Sequence, residues 1–292
     1  MRQAGRTVPL FVDQKVTGQS AHRSLACVDC HEGFDGDASP PNDNLAPVDC
    51  AACHDGTAKT HAFHPRLALT SRPAARDTDC KACHGTHAVA PVKAAAFAFR
   101  GAGETKACGT CHEQAAAQFA ASAHGRALRT QEANAPDCLS CHREPVVGAR
   151  GTPLTLEQKL AQTKLCESCH VGRENVAGQA VRGKMFVRSF EQSVHGAALH
   201  EGKVGAANCV DCHGAHEMNR AMASTARMNK LRVAGTCAKC HEQAAAEYDA
   251  SVHAQALRKG NLDSPACTSC HGEHDIRKHT DPASPVHKAN VA

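Results

Sequence analysis

Cys80-Lys81-Ala82-Cys83-His84-Gly85-Thr86-His87 is the stretch that decides how this chain is read. It returns as Cys209-Val210-Asp211-Cys212-His213-Gly214-Ala215-His216 and as Cys267-Thr268-Ser269-Cys270-His271-Gly272-Glu273-His274. The core of that pattern, Cys-x-x-Cys-His, occurs six more times. Its thiols there are Cys27 with Cys30, Cys50 with Cys53, Cys108 with Cys111, Cys138 with Cys141, Cys166 with Cys169, and Cys237 with Cys240. Nine copies use all 18 cysteines. This spacing is the attachment signature of c-type haem. The two thiols add across the vinyl groups of the macrocycle, and the following imidazole binds the iron as the proximal ligand. The proximal set is then His31, His54, His84, His112, His142, His170, His213, His241 and His271.

Other uses of paired cysteines fail on the same residues. Zinc ribbons join two pairs into one tetrahedral site and do not need a His after every pair. Histidine is 21 of 292 residues, so nine chance placements are excluded. Structural disulfides have no cysteine outside the motifs to recruit. A thioredoxin-like redox pair calls for one motif in an α/β pattern, not nine in an Ala-rich chain.

Composition agrees. The chain has no Trp, one Tyr and eight Phe, and much of its 42% hydrophobic content is Ala. Large apolar side chains normally offset the conformational entropy lost on folding. Nine macrocycles supply that missing core, and their covalent and axial bonds staple the chain. The formal charge of +4 changes on the same account. A bis-His ferric haem with both propionates ionised adds about −1 and a ferrous one about −2, so nine give about −5 oxidised and about −14 reduced. The 33 Lys and Arg therefore neutralise propionates, and no basic run with interleaved aromatics points to nucleic acid.

No stretch reaches 18 consecutive apolar residues, so no membrane segment is expected in this chain. Met1–Phe11 lacks the apolar run of a signal peptide. Haem attachment takes place outside the bacterial cytoplasm, so a periplasmic or extracellular location is expected, with the export signal not present in this sequence.

Motif starts are separated by 30, 28 and 30 residues from Cys50 to Cys138, and by 43, 28 and 30 from Cys166 to Cys267. Cys80–His142 aligns without a gap onto Cys209–His271 at an offset of 129, and Glu113–Arg129 shares 11 of 17 residues with Glu242–Arg258. This is a tandem repeat. It predicts a single-haem segment over 1–46, a first tetrahaem unit over 47–150 and a second over 151–292. The second carries 13 extra residues within Val171–Glu191, expected as a loop, and Asp35–Pro47 also reads as loop. Ala, Glu and Gln in Glu113–Ala123 and Glu242–Val252 favour helix. Without alternating β-branched runs, the fold class is mainly α and irregular: short helices and loops around stacked haems, with little or no sheet.

Twelve histidines remain, and their positions recur. His87, His216 and His274 follow a proximal His by three residues; His124, His195 and His253 precede the next haem-binding Cys by 14, each within Ser-x-His. His22 lies in Ser-x-His five residues before Cys27, and His61 and His64 fall where the first repeat needs its equivalent. These nine are the distal candidates, leaving His200, His279 and His287 spare. Two ligands of one iron approach from opposite faces, so neither His87 nor His124 closes the haem nearest to it in sequence. Each is expected to cap another. The weak point is the fifth motif, where Arg143-Glu144-Pro145 replaces Gly272-Glu273-His274.

Ser-x-His followed by Cys-x-x-Cys-His-Gly-x-His, over about Ser20 to His274, resembles the doubled-motif multihaem cytochromes c of respiring bacteria. With nine motifs it is most similar to the periplasmic nonahaem cytochrome domains associated with membrane b-type cytochromes in metal-reducing bacteria. The resemblance implies bis-His low-spin haems relaying electrons from a membrane-bound b-type cytochrome or quinol dehydrogenase to a downstream cytochrome or metal acceptor. Two alternatives stay open: a reductase with one open-face haem acting on nitrite, hydroxylamine or a sulfur oxyanion, and a subunit of an extracellular cytochrome filament. No Lys stands in a proximal position to mark a catalytic haem, so an electron-transfer protein is favoured over an enzyme. Pyridine haemochrome and iron analysis of the purified protein should each return nine per chain, and a count well below nine would sink the motif reading.

Overall fold

The computed structural model describes residues 2–3, 6–7, 12–34, 48–54, 80–81, 83–90, 107–142, 152–172 and 181–291. The predicted Asp35–Pro47 loop and the candidates His61 and His64 lie outside them. The chain divides into two compact units, Met1–Cys111 with His142–Pro145, and His112–Cys141 with Val146–Ala292.

Short helices dominate both. The only ladder among the described residues joins Arg2–Gln3 to Arg6–Thr7, antiparallel. In the first unit helices span Gln14–Gly18 and Cys27–Cys30, with a 3-10 turn over Cys50–Ala52. The second unit runs through helices Glu113–Ala121, Ala123–Arg129, Leu156–His170, Val181–Arg188, Val194–His200, Val233–Cys237, Glu242–Ala250 and Val252–Arg258. The attachment motifs form helical turns of their own at Cys138–His142, Cys209–His213 and Cys267–His271. The extra segment of the second repeat, expected as a loop, ends in the Val181–Arg188 helix and a 3-10 turn over Ser189–Gln192.

The predicted helices are cut where sequence periodicity does not show it. Ser122, Ser193 and Ser251 each adopt an extended backbone and cap the next helix, their hydroxyls accepting from the N–H of Gly125, Gly196 and Ala254. A hydroxyl at this position satisfies one of the donors that a helix leaves open at its start. The helix before Ser122 therefore stops at Ala121, and a new one begins in a different direction.

The apolar core is small. Leu199, Ala226, Val233, Ala254, Leu257 and Ala266 are its buried hydrophobics among the described residues, three of them alanine. Val233, Leu257 and Ala266 form one cluster, with Met228 and Cys237 against it. Polar contacts take over elsewhere. Asn208 caps the Cys209 turn, accepting from the N–H groups of Val210 and Asp211, and its Nδ2 donates to Gln162 Oε1 at 2.9 Å in a buried position. Lys159 bridges the same two elements, with Nζ 2.8 Å from Ala206 O and 3.0 Å from Asp211 Oδ2. Replacing Asn208 with Ala removes the cap and its bond to Gln162, which should cost about 1 kcal/mol or more. Denaturant unfolding of the haem-loaded protein, followed in the Soret band, measures it.

Candidate haem-binding sites

A helical turn explains why the attachment motif has its spacing. Positions i, i+3 and i+4 share one face of a helix. The turns at Cys138–His142, Cys209–His213 and Cys267–His271 therefore carry both sulfurs and the proximal imidazole on one side. The same holds for Cys166, Cys169 and His170, which end the Leu156–His170 helix. The motif of Cys50 and Cys53 differs: its turn is the tighter 3-10 form, ended by Cys53, whose N–H donates to Cys50 O. The next N–H, that of His54, donates to the same carbonyl at 3.0 Å. Cys53 is exposed and Cys50 half-buried. All 18 cysteines are exposed or half-buried, and the sequence predicts thioether bonds to haem at each. Among the described residues no group of three or more His, Cys, Asp or Glu gathers to hold a bare metal ion.

Instead the histidines come together in twos. In the first unit the His22 and His54 rings stand 5.9 Å apart and those of His31 and His87 6.0 Å apart. In the second unit His124 faces His170 at 6.0 Å, His195 faces His241 at 6.0 Å and His213 faces His274 at 5.8 Å, centre to centre. Every pair joins one proximal histidine to one from the recurring distal set. A metal–imidazole bond is about 2 Å and the ring centre lies about 1.1 Å beyond the nitrogen, so two axial imidazoles on one iron stand about 6 Å apart. The residues present fit bis-His c-type haem. His274 adds an orphan in keeping with such a site, since its Nδ1 is buried with no partner.

Two elements deliver the distal rings. The first is Ser-x-His: Ser20, Ser122 and Ser193 are 3%, 0% and 1% exposed. Their hydroxyls accept from the backbone N–H of His22, Gly125 and Gly196 respectively. Glycine is required at the last two positions because a Cβ would lie 2.0 Å from Phe119 O at Gly125 and 2.2 Å from Phe190 O at Gly196. The second element is Cys-His-Gly-x-His, in which Gly85, Gly214 and Gly272 have φ of 74°, 83° and 80°. Only glycine enters that left-handed region freely, so it turns the chain away from the motif helix and carries the next His off the proximal side.

The two elements dock on each other by the same bond three times. The residue between Ser and His donates its N–H to a carbonyl two residues past the other element's His. Ala21 donates to Val89 O at 2.7 Å, Ala123 to Met218 O at 2.8 Å, and Val194 to Ile276 O at 2.9 Å. Phe186, from the additional helix of the second repeat, stands edge-on to His274 at 4.4 Å between ring centres.

Burial sets the electrostatics. It pushes His213 down to about 4, with the nearby His274 adding to the effect. It also lowers His124, His170, His195 and His274. His87 is lowered by burial and then by His31. Burial lowers His216 too, opposed by Glu217 and reinforced by His112. A neutral imidazole is the form that binds iron, so these surroundings hold the ligands ready. The sulfurs of successive motifs are also neighbours. The Cys166 thiol donates to Cys209 and is raised by it, and Cys237 does the same to Cys267. Cys141 is raised by burial and by Cys169, and Cys212 by burial, with Cys240 among the smaller causes.

Of the nine distal candidates, His22, His87, His124, His195 and His274 lie against proximal rings, and His216 lies in the field of His112. His253 has no imidazole against it among the described residues. Sequence reading missed Phe186 and the docking segments at Val89, Met218 and Ile276. The extended signal Ser-x-His-Gly, at Ser122–Gly125 and Ser193–Gly196, was there to be found.

The family described as Cytochrome c554 and c-prime matches residues 107–171, a stretch holding the motifs at Cys108, Cys138 and Cys166 with His124 between them. No curated protein and no solved structure matches the chain. The family match and the attachment motifs support a c-type cytochrome with covalently bound haem. No helix among the described residues is long and apolar enough to cross a membrane.

His195→Ala should turn the haem at Cys237 from low to high spin, and His274→Ala the haem at Cys209, each by one haem equivalent in the EPR spectrum. His200→Ala should leave the spectrum unchanged. Gly196→Ala, by forcing the cap apart, should give a partial version of the His195→Ala spectrum and a lower melting temperature.

Proposed function

We propose that this chain is a nonahaem electron relay of the periplasm or cell exterior. It takes electrons from a membrane b-type cytochrome or quinol dehydrogenase and passes them to a downstream cytochrome or metal acceptor. When bound, c-type haem supplies an iron that takes up and gives up one electron. The chain fixes where those irons stand and which ligands they hold.

The observation that carries this reading is the coupling of successive motifs through their sulfurs in the second unit. The Cys166 thiol donates to Cys209 and the Cys237 thiol to Cys267, while Cys141 and Cys212 are raised in part by the fields of Cys169 and Cys240. Groups bonded to adjacent sulfurs are held adjacent, and electron transfer falls off steeply with separation. The coupling alternates between second cysteines and first cysteines, so each of the motifs from Cys166 to Cys237 is coupled to the one before and the one after. A catalytic haem would need a cavity at one iron; the placement here favours paired imidazoles. Two imidazoles also favour a lower potential than a His/Met pair.

The distal assignments follow the same logic. Two Gly-x-His elements serve the motif two places earlier in sequence, His87 for His31 and His274 for His213. The Ser-x-His element serves the motif after next, as His22 does for His54, His124 for His170 and His195 for His241.

The test is single-turnover kinetics on the fully reduced protein. Mixing with ferric citrate should draw about nine electrons per chain, with the haems reoxidising as a connected set and nitrite and hydroxylamine left unreduced. Steady nitrite or hydroxylamine turnover, or haems that stay reduced in isolation, would overturn the relay.

A further inference from the structure

The stretch that lengthens the second repeat ends in a segment that grips a distal ligand from two sides. The Val181–Arg188 helix runs through the 3-10 turn over Ser189–Gln192 to Ser193, the cap of the helix that carries His195. Two hydroxyls tighten that path, Ser189 donating to Phe186 O and Ser193 to Phe190 O, each at 2.7 Å. At one end Phe186 stands edge-on to His274, with ring centres 4.4 Å apart and planes at 78°. At the other, Val194 donates its N–H to Ile276 O, two residues past the same histidine.

His274 needs such a hold. A ligand imidazole usually fixes its plane by donating its second ring N–H to an acceptor. Nδ1 of His274 is buried with no hydrogen-bond partner, so no bond from that atom steadies the ring. Its plane is nonetheless the best aligned among the five pairs, 28° from that of His213 against 33°, 41°, 52° and 60° in the others. An edge-on aromatic contact is directional and contributes about 1 kcal/mol. Phe186 is itself 42% exposed, so its ring is not there to fill the interior.

We propose that Phe186 is a positioning residue for the haem at Cys209. Its edge-on contact holds the His274 ring near the plane of His213 and on the iron that His213 holds. Phe186 touches no iron and acts through the distal ligand. By slowing the departure of His274 it keeps that haem six-coordinate, so the iron passes electrons and takes up no outside ligand. The inference rests on the ligand pairing proposed above.

Two readouts on the haem-loaded protein test it. Carbon monoxide binds a bis-His ferrous haem only when the distal imidazole leaves, so its uptake by the reduced protein measures ligand departure. EPR of the oxidised protein measures the angle between imidazole planes, the largest g value rising as they turn from parallel. His274→Ala marks the haem at Cys209 by removing its low-spin signal. Phe186→Ala should speed carbon monoxide uptake about fivefold at one haem equivalent and move that same signal to a larger g value, leaving the other haems unchanged. Phe186→Tyr should restore both readouts, whereas Phe186→Leu, which fills the space without an aromatic edge, should not. Unchanged readouts in Phe186→Ala, rescue by Leu as complete as by Tyr, or a change spread over several haems would overturn the proposal. A His274→Ala variant that keeps every low-spin signal would overturn the ligand pairing, and the role of Phe186 with it. Ferric citrate kinetics tests the relay separately, so Phe186 can fail while the relay stands.

Discussion

Two ligands of one iron must approach from opposite faces of the macrocycle, and everything else in this chain follows from that. A single helical turn presents two sulfurs and the proximal imidazole on one side, so the other side is served from elsewhere. Here it is served from elements that lie beside a different motif. His87 follows His84 by three residues yet stands against His31, and His274 follows His271 yet stands against His213. Each proximal–distal histidine pair thus joins residues far apart in the chain, and the pairings overlap.

That overlap accounts for a chain with so little apolar core. Six buried hydrophobics among the described residues, three of them alanine, are a small share of the usual driving force. The chain compensates with local devices at each ligand: a buried serine cap, a glycine in the left-handed region, and one backbone hydrogen bond between the two distal elements. None is strong alone, since a backbone bond contributes about 1 kcal/mol net. Their value lies in aim, because an imidazole displaced by an ångström no longer reaches its iron.

The repeat seen in sequence and the grouping seen in space differ. Motif spacing divides the chain as one plus four plus four. The docking bonds group ligand elements by twos: one bond joins the elements that serve His31 and His54, and another joins those that serve His213 and His241. Spacing records how the chain was duplicated. Grouping records which segment a ligand element can reach once the glycine has turned it away from its own motif. The additional helix of the second repeat belongs to this picture, since Phe186 closes over His274.

The sequence by itself pointed to c-type haem and to the helical, sheet-poor class, and it showed the recurrence of the Cys-x-x-Cys-His and distal-histidine elements, because each depends on residues close together in the chain. Tertiary structure alone decided the rest. It broke the Ala-rich helix at Ser122, where a hydroxyl competes with the continuing helix for Gly125 N–H. It made Gly125 and Gly196 obligatory through carbonyls that a Cβ would strike. It also matched His124 to His170 and His195 to His241, partners 46 residues apart in each case. Spacing shows that a distal histidine cannot serve the nearest motif. Which motif it does serve depends on how far a capped helix and a docked segment carry the ring, and that is a property of packing.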